Sequence, residues 1–133
     1  MASLDTNVLV RFLVEDDAAQ VAAARKLIGI CVGTGDAIFV PVTVALELEW
    51  VLRANFGFSK PDVVQTLSRL LSSIELSFES EAALELAIVL YGQGGADFSD
   101  CLHVALASSA GERPLWTFDK AAAKLDGARL LKA

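Results

Sequence analysis

The amino-acid sequence predicts an α/β protein, a three-layer α/β/α sandwich built on a five-stranded parallel sheet, and three observations predict it. Short apolar runs containing β-branched and aromatic residues alternate with longer segments whose apolar residues recur at helical spacing. Glycine, proline and helix-capping residues punctuate the boundaries. Parallel neighbours need crossover connections, almost always right-handed, so regular alternation of strand and helix places helices on both faces of one sheet.

The first run, residues 2–4, is a short strand that ends at Asp5. A helix begins near Asn7, a good capping residue. Asp16 and Asp17 can cap a second helix from 18 to about 30, where Val21, Ala24, Leu27 and Ile28 share a face. The Gly-Thr-Gly-Asp sequence at 33–36 forms a loop. Residues 37–41 have the continuous apolar character of a buried parallel strand, and Thr43 starts a helix running to about Asn55 and stopped by Gly57. Ser59, with Pro61 just inside, opens a helix to about Leu71. Residues 74–78 form a third strand, and Ser80 caps a helix that ends near Tyr91. Gly92, Gly94 and Gly95 make the next loop. A helix over 98–110, a strand over 114–118, a short helix from Lys120 and a last strand over 128–131 complete the pattern.

No repeat, low-complexity segment or linker divides the chain, so residues 1–133 are expected to form a single domain. Of these residues, 54% are apolar and 21% charged, ample for a core. The longest uncharged stretches, such as 86–96 and 101–111, fall short of the roughly 18–20 apolar residues of a spanning helix, so no membrane segment is expected. Asp5 interrupts the first apolar run before it could serve as a signal peptide, and a cytoplasmic location is expected. Cys31 and Cys101 read as buried thiols rather than a disulfide, since a chain this apolar does not need the staple.

The formal net charge of −6 runs against nucleic-acid binding, whose usual footprint is a basic stripe. The carboxylates themselves offer an answer. In open parallel sheets, ligands bind outside the carboxyl ends of the strands. Asp5 ends the first expected strand and Asp119 lies just beyond the fourth, while Glu47 and Asp100 fall in the first turns of helices that follow loops. These four acids can converge on one rim. With Asp97 added, a five-acid site leaves 12 acids against 11 bases, a net of only −1, before any bound cation is counted.

At about 100° per residue, Glu47 lies beside Trp50, Val51 and Ala54, an apolar sector expected to face the core, whereas Glu49 points elsewhere and pairs with Arg53 four residues on. Glu47 is therefore the preferred functional acid. Asp97 and Asp100 both precede the apolar helix, and a capping box with Asp97 at the N-cap explains one of them better than both. Asp100 is assigned to the site, and Asp97 stays open between cap and auxiliary ligand. Taken singly, Asp5 and Asp119 also read as turn or cap residues.

Oxygen donors without histidine or cysteine partners suit Mg²⁺ or Mn²⁺ rather than zinc. His103, the only histidine, follows Asp100 by one turn, and a structural role is the simpler reading. No motif supports a nucleophilic triad, and the cluster at 92–95 matches neither the P-loop nor the dinucleotide fingerprint.

Four segments then add up: Leu4-Asp5-Thr6-Asn7-Val8-Leu9-Val10-Arg11, Leu46-Glu47-Leu48-Glu49-Trp50-Val51-Leu52-Arg53, Ala96-Asp97-Phe98-Ser99-Asp100-Cys101-Leu102 and Thr117-Phe118-Asp119-Lys120. In this order and spacing the chain resembles the PIN-domain ribonucleases, most closely the VapC-like toxins of bacterial and archaeal toxin–antitoxin pairs. The resemblance implies a five-stranded parallel sheet and a Mg²⁺- or Mn²⁺-dependent endoribonuclease. In such a site a carboxylate cluster holds the cation and a metal-activated water hydrolyses the RNA phosphodiester. Asp5, Glu47, Asp100 and Asp119 match the acidic quartet, and Asp97 matches an additional acid. Thr6, Asn7 and Thr117 match the polar residues that support the carboxylates. Arg11, Arg53 and Lys120 lie in or beside the motifs and are candidates for RNA or partner contacts. A cognate antitoxin that inserts a segment into the acidic pocket, and a homodimer, are implied as partners. The sequence departs from the family pattern at Cys101 and His103.

Three other readings remain. A receiver-like signalling domain shares the length and the alternation, but needs an aspartate at the end of the third strand, where Leu76-Ser77-Phe78-Glu79 offers only Glu79. A non-catalytic binding module would keep the PIN-like fold without the chemistry. A nuclease acting mainly on DNA is the third.

Overall fold

The computed structural model describes residues 2–133; Met1, where the expected domain begins, lies outside them. Helices dominate. In chain order they are α1 (Thr6–Leu13), α2 (Ala18–Gly33), α3 (Val42–Phe56), α4 (Lys60–Leu71), α5 (Glu81–Gln93) and α6 (Phe98–Ser109), with a 3₁₀ turn at Ala122–Lys124. Four strands lie between them: β1 (Ile38–Val40), β2 (Leu76–Phe78), β3 (Leu115–Thr117) and β4 (Ala128–Leu130).

Half of the helix starts follow local capping chemistry. The carboxylates of Asp5 and Asp17 and the Ser59 hydroxyl accept backbone N–H bonds at the starts of α1, α2 and α4, satisfying donors the first turn leaves open. Asp5, not Asn7, is thus the cap of α1. Gly57 ends α3 at φ 68°, a conformation glycine adopts without strain. Ser80 does not cap α5 as expected: its φ of 56° turns the backbone left-handed, and its hydroxyl makes no cap bond.

The strands pair as two parallel couples, β1 with β2 and β3 with β4. Residues 2–4 run beside β1 through one parallel bridge, Ser3 to Phe39, flanked by Leu4 N–H to Phe39 O at 3.1 Å and Phe39 N–H to Ala2 O at 2.9 Å. The α/β class therefore holds, but the expected five-stranded sheet does not: two small sheets take its place. Each strand is three residues long, and Asp5 diverts the first segment into α1 before a ladder can form. The expectation of helices on both faces also needs correction. The middle residues of the four strands, Phe39, Ser77, Trp116 and Arg129, are all exposed, so each pair presents one open face.

The core lies between the β1–β2 pair and helices α1, α3, α4, α5 and α6, around Leu9, Ile38, Leu48, Leu52, Leu84 and Phe98. Tyr91 and Phe98 meet edge to face with centroids 5.4 Å apart, joining the end of α5 to the start of α6. Both cysteines are free thiols. Cys101 is buried, but Cys31, near the end of α2, is only half-buried. No helix among the described residues is long and apolar enough to cross a membrane.

Candidate active site

Asp5 stands where the first extended segment gives way to α1, and its Oδ1 accepts from Val8 N–H at 3.0 Å. It lines a cavity of about 320 Å³ together with Asn7, Arg11 and Gln20. Arg11 is held there by a 2.6 Å bond from its Nε to Gln20 and a 2.9 Å ion pair with Asp16. Thr6 is buried and Asn7 exposed.

A second group forms at the start of α6. Buried Phe98 anchors the first turn and leaves Asp97 exposed at the N-cap, where its side chain makes no capping bond. Capping therefore does not account for Asp97. Asp100, half-buried in the first turn, is pushed above the usual carboxylate range by burial, then by the charge of Asp119 and, more weakly, of Asp97; His103 pulls the other way. His103 is exposed rather than packed in the core, and lies within electrostatic reach of Asp100. Asp119 follows β3. Its backbone N–H donates to Thr117 Oγ1 at 3.0 Å, and its Oδ1 accepts from Ala122 N–H at 2.8 Å, which starts the 3₁₀ turn. Lys120 beside it is exposed.

Glu47 opens on a groove of about 620 Å³ shared with Thr43, Glu49, Trp50, Arg53 and Asp97. The predicted orientations of the two α3 acids are reversed. Glu47 is exposed, as is Trp50, and Glu49 is buried at 4% exposure. The inward stripe is Ala45, Leu48, Glu49 and Leu52, the i, i+3, i+4, i+7 set. α3 is apolar on more than one side, so two stripes competed, and tertiary packing chose the one that contains Glu49. Exposure, not the expected place on the core-facing sector, suits Glu47 for contact with a ligand.

Glu49 makes the expected pair with Arg53, but its burial and its bond to Tyr91 are not visible in the sequence. Its carboxylate accepts from Tyr91 Oη at 3.0 Å and from Arg53 Nε at 2.8 Å, tying α3 to α5. Burial, followed by the Glu49 carboxylate, pushes the Tyr91 phenol up to about 12, and Glu49 raises the Arg53 guanidinium above its ordinary value. Lys60 stands 4.6 Å from the Tyr91 ring centre and donates to Tyr91 O at 3.1 Å and Gly94 O at 2.8 Å, fastening the loop that leads to Asp97. The available signal was the lone tyrosine: a buried phenol needs an acceptor.

The structure thus brings Glu47 and Asp97 to one groove and Asp100 and Asp119 into mutual electrostatic reach, while Asp5 lines a separate cavity. Among the described residues, no three histidine, cysteine or acid side chains form a group able to hold a metal ion. Asp5 and Asp119 each give an oxygen to a backbone N–H of their own turn, which directs them locally. The donor types suit a hard divalent cation, since Asp97, Asp100 and Asp119 supply oxygen only, although their carboxylates do not form one ligand set as they stand. Cys101 does not join them, because burial pushes its thiol up to about 11.

The chain belongs to the PIN-domain family: the family model matches residues 2–128. It is also similar to the VapC ribonuclease of Aquifex aeolicus (strain VF5), with 26% identity over 125 residues covering 94% of this chain and 92% of that protein.

Proposed function

We propose that this chain is a Mg²⁺- or Mn²⁺-dependent endoribonuclease, the toxin of a prokaryotic toxin–antitoxin pair, acting on RNA in the cytoplasm and restrained by a cognate antitoxin protein. The observation that carries the reading is the PIN-domain match over residues 2–128, with Asp100 half-buried at the start of α6 within electrostatic reach of Asp119 and Asp97. Such like-charge crowding is unfavourable without a counter-ion and is useful where a cation must be held. Similarity to a protein described as a ribonuclease supports the reaction class.

Asp100 and Asp119 would hold the ion, with Glu47 and Asp97 beside them; Asp5, which lines a separate cavity, would join only by giving up its cap bond to Val8. When bound, a divalent cation supplies Lewis acidity toward the phosphodiester and lowers the pKa of water. The chain's own groups do the positioning. Thr117 fixes the backbone that carries Asp119, and Lys60 secures the loop before Asp97. Arg53 and Lys120 remain candidates for RNA contact, whereas Arg11 is occupied by Asp16 and Gln20 and shapes the Asp5 cavity. A homodimer would find apolar surface along α2, where Ile30 and Val32 are exposed.

The receiver-like reading meets a specific obstacle. Glu79, the only acid at the end of β2, accepts from Val42 N–H at 2.8 Å and serves the start of α3. A non-catalytic module has no use for the crowding around Asp100. The test is cleavage of total cellular RNA, with single-stranded DNA in parallel, in Mg²⁺ and in EDTA. Loss of RNA in Mg²⁺ alone supports the proposal. Cleavage that persists in EDTA, or cleavage confined to DNA, refutes it, and uptake of beryllofluoride at one carboxylate would favour the receiver.

A further inference from the structure

One exposed apolar surface adjoins the acids. In β3 and β4 the middle residues, Trp116 and Arg129, face outward as Cα partners, and the Arg129 guanidinium carbon lies 5.5 Å from the Trp116 ring centre. One step beyond, Phe118 and Leu131 follow, linked through Leu131 N–H to Thr117 O at 2.7 Å. Trp116 is 53% exposed and Phe118 67%. Asp119 is the next residue.

Two large aromatic side chains left in water beside a cation call for an occupant. Charge indicates which. Residues 113–133 hold five basic and two acidic side chains, a net of +3, while residues 2–112 hold six basic and 15 acidic, a net of −9. The aromatic face therefore lies on a net-basic stretch of an acidic protein. A symmetric dimer through this face would set the basic segment against itself. A polyanion gains from the same charge.

We infer that Trp116, Phe118 and Arg129 form a stacking platform for the bases of single-stranded RNA that flank the phosphate presented to the acids; the inference rests on the ribonuclease reading. Aromatic faces stack on any base, and a guanidinium both stacks and meets phosphate, so the platform holds RNA without reading its sequence. Trp116 precedes Asp119 by three residues, about 10 Å of extended chain, within reach of a nucleotide next to the cleaved bond.

The experiment measures fluorescence anisotropy of a labelled short single-stranded RNA, and of the same backbone carrying abasic sites, on Asp100→Asn protein so that the RNA survives. Trp116→Ala should weaken base-bearing RNA about tenfold, within the range for one lost stack, and leave the abasic strand unchanged. Trp116→Phe should recover most of the affinity, and Arg129→Ala should weaken both strands. Unchanged affinity in Trp116→Ala, where the unsubstituted protein cleaves RNA, overturns the platform and leaves the ribonuclease reading standing. Absence of both binding and cleavage overturns the two together. If Trp116→Ala, Phe118→Ala converts a dimer to monomers at unchanged RNA affinity, a second copy covers this face and the inference is wrong.

Discussion

Tyr91→Phe is the sharpest probe of the scaffold that carries the candidate site. The substitution removes one oxygen from a buried contact and changes little in volume. The lost bond runs to the Glu49 carboxylate at 3.0 Å, and the acid is buried. A hydrogen bond to a charged group contributes about 1.5–3 kcal/mol. Arg53 still donates at 2.8 Å, and because its side chain is half-exposed, water reaches that end of the pair and softens the loss. The expected destabilisation is about 2 kcal/mol, or on the order of 8 °C for a chain of this size. Urea unfolding should show a lower midpoint at unchanged slope. Adding Glu49→Gln should then cost less than it does in the unsubstituted protein, giving a coupling of about 1 kcal/mol between the two sites. A shift below about 0.5 kcal/mol, or strict additivity, would refute the claim that this bond ties α3 to α5.

Three further outcomes follow from the same geometry. Asp5→Ala should lose about 0.5–2 kcal/mol by uncapping α1, whereas Asp5→Asn should stay within a few tenths because asparagine caps equally well; thermal unfolding distinguishes them. Ser80→Gly should stabilise the fold by about 0.5 kcal/mol, because relief of the left-handed backbone at φ 56° exceeds the added freedom of the unfolded chain. Tyr91 is the only tyrosine, so near-ultraviolet phenolate absorbance reports it alone. Its folded pKa, about 12, lies above the unfolded value of about 10, so its contribution is complete below pH 10 and fades as pH rises through 12. A folded-state titration centred near 10 would contradict the buried Glu49 contact.

What the sequence disclosed was mostly local. Asp17 and Ser59 cap their helices, and Gly57 ends α3, because each acts on neighbours within one turn. Ser80 has the capping residue type, yet the path of the chain from β2 into α5 sets its backbone instead. The α3 acids show where local reading ends. Helical spacing correctly separated Glu47 from Glu49, but which flank of an apolar helix is covered depends on α5, and Tyr91 lies 42 residues further along. The sheet departs from expectation for a similar reason: five apolar runs are visible, but their pairing depends on lengths that Asp5 and the three-residue strands curtail. Asp97, Asp100 and Asp119 were legible because each begins a helical turn after a loop or strand. Their mutual crowding was not, since it arises from α6 meeting the end of β3.

The proposed metal-dependent ribonuclease activity rests on the acids around the start of α6. The measurement that tests it most directly is cleavage of a fluorescent RNA by the intact protein and by Asp100→Asn, each in Mg²⁺ and in EDTA, with far-ultraviolet circular dichroism to confirm that both are folded. The expected result is turnover by the intact protein in Mg²⁺ only, and a loss of at least about a hundredfold in folded Asp100→Asn, the scale at which a first contact to reacting charge counts. Undiminished cleavage by Asp100→Asn, or cleavage by the intact protein in EDTA, would contradict it.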